Sequence, residues 1–68
     1  MLRNLYELSA AETSVAERLM RGDTPDQAAT ALNIKISTAR WHLRSLFRKT
    51  DTKRQAELVR LLLSLPGI

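Results

Sequence analysis

The sequence predicts an all-α domain of four short helices. Two kinds of observation carry this. Helix-start signals recur at Ser9-x-x-Glu12, Thr24-Pro25-x-Gln27 and Thr52-x-x-Gln55, where a hydroxyl can accept from the backbone three residues on and an acidic or amide side chain can reach back. Stop signals answer them at Gly22, Asn33, Thr50-Asp51 and Pro66-Gly67, and between start and stop the apolar residues recur at helical spacing.

The elements follow in order. Residues 1–8 form a lead-in or linker segment, and residues 9–65 the domain. Helix 1 is expected over about Ala10 to Arg21, with Val15, Ala16, Leu19 and Met20 as its buried stripe and Gly22 supplying the left-handed stop. Helix 2, about Pro25 to Leu32, turns Ala28, Ala29 and Leu32 inward; small residues there let another helix approach closely. Asn33 tolerates left-handed geometry, and Ile34 plugs a turn only about three residues long, so the next helix leaves at a steep angle.

Helix 3, about Ile36 to Lys49, gathers Ile36, Ala39, Leu43, Leu46 and Phe47 on one side and Ser37, Arg40, Trp41, Arg44 and Arg48 on another. One face wants a core and the other an anion. Helix 4, about Lys53 to Leu65, carries more leucine than one inward stripe needs. Its face of Leu58, Leu61, Leu62 and Leu65 is therefore expected to meet a second copy of the chain. A short helix with small contacts, a tight turn and a basic amphipathic helix is the layout of a helix-turn-helix.

Composition narrows the function. The chain has 68 residues, enough for one domain with a small core that needs dimerisation or very regular packing. With no cysteine and a single histidine, His42, disulfides and a zinc cluster are excluded, and no cofactor is expected. No apolar run nears the roughly 18–20 residues of a membrane span, and no signal-peptide pattern opens the chain, so a cytoplasmic protein is expected. Charge is segregated. Residues 35–54 hold seven basic side chains against Asp51 alone, a balance of +6, whereas residues 1–34 hold three against five, a balance of −2. A positive field confined to one segment suits a polyanionic partner.

The combined pattern of Leu8-Ser9, Glu12, Val15, Leu19, Gly22, Ala29, Leu32, Ile34, Thr38, Arg40, His42-Leu43, Lys49 and Glu57 resembles the LuxR-type (GerE-like) helix-turn-helix domain of bacterial transcription regulators. The resemblance runs from Leu8 to about Leu63. It implies a four-helix domain binding double-stranded DNA, attached to an upstream sensory domain and homodimeric through its last helix. It places Arg40, Trp41 and Arg44 at base edges, and Thr38, His42, Arg48 and Lys49 at phosphates or in support of the helix. Lys35, at the helix start, and Ser37, on the anion-facing side, are expected at phosphates from their own positions. For Trp41 three placements stay open: touching a thymine methyl or sugar, packing beside Ser37 and Arg44, or turning inward. For His42 a phosphate contact and a boundary packing role both stand.

Four positions depart from the family pattern: Lys35 replaces a capping serine, Asp51 a glycine, Ala39 a larger aliphatic, and Gln55 an arginine. Two other functions compete with the regulator. One is a sigma-factor-like helix-turn-helix; the other is a protein-interaction module using Trp41 and the leucine-rich helix 4. An enzyme is not expected, because the chain offers no second histidine, no cysteine, no glycine-rich phosphate loop and no obvious inward-facing carboxylate pair.

Overall fold

The computed structural model describes residues 6–65, and four helices lie wholly among them: α1 (Ala10–Met20), α2 (Pro25–Leu32), α3 (Ile36–Thr50) and α4 (Gln55–Ser64). No strand occurs among the described residues. Most of the lead-in and the Pro66-Gly67 stop lie outside them.

The first two helices begin as their sequences dictate. Ser9 Oγ accepts from the Glu12 N–H at 3.1 Å while the Glu12 carboxylate accepts from the Ser9 N–H at 2.8 Å. Thr24 and Gln27 repeat the exchange at 3.1 and 2.8 Å. Three helices share one ending, with a left-handed residue followed by an N–H that reaches five residues back: Gly22 (φ 97°) before Asp23, Asn33 (φ 57°) before Ile34, and Asp51 (φ 54°) before Thr52. This ending makes the α2–α3 turn tight and carries half-buried Ile34 onto the core.

The core lies where α1, α3 and α4 meet. Val15, Ala16, Leu19, Leu46, Leu58 and Leu62 are sealed from solvent, with Leu8 closing one end. Ala28, Ala29 and Ala39 are also sealed, so α2 and α3 approach through small side chains, and Ala39 is part of that close contact.

Three expectations are corrected. Thr52 does not cap α4, which starts at Gln55 with Arg54 as its flanking residue. The Thr52 hydroxyl pairs with that of Thr50 at 2.9 Å, and Gln55 Nε2 donates to the Asp23 carbonyl at 3.4 Å. Glu57 does the capping, accepting from the Lys53 and Arg54 N–H groups. Ile36 is 45% exposed, because it occupies the first turn of α3, beyond the reach of the packed helices. Leu58 and Leu62 belong to the domain's own core at 0% exposure and are not available to a second subunit; Leu63, at 60%, is the outward leucine of α4.

Asp51 holds a conformation that glycine adopts without steric cost. Asp51→Gly is expected to stabilise the domain by about 0.5–1 kcal/mol, read as a higher urea midpoint at unchanged slope. An unchanged or lower midpoint would show that the aspartate carries no net strain there.

Candidate nucleic-acid interface

At roughly 100° per residue, Arg40, Arg44, Ser37, Arg48 and Trp41 fall within one arc of about 100° on α3, and all five are exposed. Trp41 is 60% exposed, which removes the inward placement. Its ring meets His42 edge-on, with centroids 5.4 Å apart and planes at 65°. A groove beside this arc is lined by Ile36, Ser37, Arg40, Leu43 and Arg44, so the misplaced Ile36 adds an apolar wall to the basic face.

Each proposed contact residue has a definite setting. Lys35 precedes α3 without making a side-chain cap, and its side chain is exposed. Thr38 and His42 lie half-buried along one border of the exposed arc, and His42 Nδ1 is enclosed without a hydrogen-bond partner among the described residues. Arg40 Nη2 donates to Asp26 Oδ1 of α2 at 3.1 Å. Arg48 is exposed at the last turn of α3, where positive charge also suits the helix dipole.

Lys49 is turned elsewhere. Its ammonium donates to Glu12 Oε1 at 2.7 Å and to the Glu7 carbonyl at 3.2 Å. Glu12 is the residue that the sequence reading undervalued. Beyond its capping bond it accepts from Ser45 Oγ of α3, and its side chain is only 6% exposed. Burial alone pushes such a carboxyl up; the Lys49 ammonium, the Ser45 hydroxyl and the Ser9 N–H outweigh burial and hold Glu12 down at about 2. Ser45 and Lys49 stand at i and i+4 on α3, and that shared polar edge was the available signal. Its partner lies 33 and 37 residues away.

The chemistry available is charge neutralisation and directional donation. No cluster able to hold a metal occurs among the described residues, and no described helix is long and apolar enough to cross a membrane. A short helix, a left-handed tight turn and a longer helix bearing a rigidly backed basic face define a helix-turn-helix domain.

Residues 6–62 match the family described as "Bacterial regulatory proteins, luxR family" (GerE). The chain belongs to this family, one of DNA-binding transcription regulators and not of enzymes. It is similar to a protein of Escherichia coli (strain K12) named "Putative HTH-type transcriptional regulator YhjB", at 30% identity over 61 residues. That match covers 90% of this chain and 30% of the relative. No solved structure matches the chain.

Because the carboxyl of Glu12 is depressed in the fold, its contribution is complete above the ordinary value of 4.5 and is lost as pH falls toward about 2. The gap corresponds to roughly 3 kcal/mol. Urea unfolding across that acid range should show stability falling in the wild type. Glu12→Gln should be less stable near neutrality and show a flatter acid dependence. A variant as stable and as acid-sensitive as the wild type would contradict this role.

Proposed function

We propose that this chain is the DNA-reading unit of a longer cytoplasmic bacterial transcription regulator with an upstream sensory domain, and that α3 enters the major groove. The observation carrying this reading is the exposed arc of Arg40, Trp41 and Arg44, flanked by Ser37 and Arg48, on a helix whose opposite side is sealed into the core. Arg40 and Arg44 discriminate bases, since a guanidinium pairs with guanine through two hydrogen bonds worth about 1–3 kcal/mol. Trp41 supplies an apolar surface for a thymine methyl or a sugar. Lys35, Ser37 and Arg48 meet phosphates, and Thr38 and His42 border the backbone path. Lys49 supports the helix through Glu12.

Two copies are proposed to bind an inverted repeat, with α4 as the contact. The groove in which Ala56, Val59 and Leu63 lie between Gln55 and Arg60, floored by the core residue Leu19, supports a face centred on Leu63 in place of Leu58 and Leu62. The exposed Trp41 also suits a protein-interaction module, and salt dependence separates the two. Phosphate neutralisation loses several tenfold steps of affinity over a modest salt range, whereas an aromatic-anchored interface loses far less.

Binding to random-sequence duplex DNA is therefore expected to weaken steeply with salt. Combining Arg40→Ala with Arg44→Ala should weaken it further, and in selection from a random pool the wild type's base preference should disappear. Absence of binding at low salt and high protein concentration would exclude this function for the chain.

Leu63→Glu is expected to give a monomer with unchanged helix content by sedimentation and circular dichroism, while Leu58→Glu unfolds the domain. A Leu63→Glu variant that stays dimeric would reject this face.

A further inference from the structure

We propose that Asp26 is a positioning residue for Arg40, holding its guanidinium ready for a base and keeping it from nearby phosphates, so that this carboxylate trades non-specific affinity for base discrimination. The proposal rests on the DNA-reading function of α3.

Asp26 lies in the first turn of α2, and its Oδ1 accepts from Arg40 Nη2 at 3.1 Å across the helix-turn-helix. The pair bridges the two helices that a duplex would meet together. It places a negative charge beside a face that otherwise gathers positive charge, which is a poor choice for affinity alone. Both side chains are well exposed, 62% for Arg40 and 52% for Asp26, so the pair adds little to stability. It biases the Arg40 guanidinium toward α2 without locking it.

What the pair does is directional. A guanidinium has five N–H donors in a planar fork. Asp26 takes one and leaves enough for a two-bond contact with guanine O6 and N7. A guanidinium already partnered at one edge gives up less conformational freedom on meeting a base. A phosphate, by contrast, must be approached past the carboxylate's like charge. Without Asp26, Arg40 would sweep freely and pair with any phosphate in reach, and binding to every sequence would rise while the preference at one base pair fell. Arg44 has no such partner among the described residues, which singles out the Arg40 position for this control.

The test uses the 68-residue chain as wild type, Asp26→Asn, Arg40→Ala and the double variant, with helix content checked in each. Each is measured for affinity to a random-sequence duplex against salt, and for base preference by selection from a random duplex pool. Asp26→Asn should bind the random duplex about three- to tenfold more tightly, with a salt slope steeper by about one phosphate contact. The preference that Arg40→Ala abolishes should weaken in Asp26→Asn. In the Arg40→Ala background, the same substitution should leave the slope unchanged, which separates control of Arg40 from simple removal of a negative charge.

An Asp26→Asn variant with unchanged slope and preference, on a wild type that binds DNA, would overturn this proposal and leave the proposed function standing. Equal affinity gains in both backgrounds would overturn it as well. Failure of the wild type to bind either duplex would overturn both.

Discussion

The Glu12 carboxylate, at the crossing of α1 and α3, is the interaction on which the presentation of the basic face of α3 depends. It accepts from Ser9 at the start of its own helix and from Ser45 and Lys49 one turn apart on α3. A buried carboxylate without partners is costly, and removing one side of a buried pair typically costs about 3–5 kcal/mol. The network is therefore stringent about geometry. It is satisfied only when α3 sits at one height and one rotation against α1.

That rotation decides what faces outward. With Ser45 and Lys49 held toward α1, the helical repeat carries Leu46 and Ala39 into the interior, sets Leu43 half-buried at its edge, and leaves the arc from Arg40 to Trp41 outside. Apolar packing alone would leave the rotation less defined, because leucine and phenylalanine contacts have no direction. The buried carboxylate adds direction to a core of few side chains. Lys49 also reaches the Glu7 carbonyl, so the chain entering the domain is tied to the same point that fixes the basic helix.

The sequence made legible what is encoded locally. Ser9–Glu12 and Thr24–Gln27 are three-residue exchanges, and Gly22, Asn33 and Asp51 announce left-handed ends. Thr52-x-x-Gln55 carries the same local code and failed. Glu57 is a charged acceptor for the free N–H groups of Lys53 and Arg54, while Thr52 and Gln55 found partners in Thr50 and Asp23. In α4 nearly every position of one turn is leucine, so periodicity could not choose between Leu62 inward and Leu63 outward; packing against α1 made the choice. Glu12 with Lys49, and Asp26 with Arg40, were hidden because each pair joins residues distant along the chain. The basic arc itself was readable, since it lies within a single helix.

The most direct test of the central claim is a residue-by-residue footprint of duplex DNA on the isotopically labelled chain, followed by amide and side-chain NMR shifts. The account predicts the largest changes at Ser37, Arg40, Trp41, Arg44 and Arg48, with small changes at the core amides of Leu46 and Leu58. A footprint centred on α1 or on the outer face of α4, with α3 unperturbed, would contradict it.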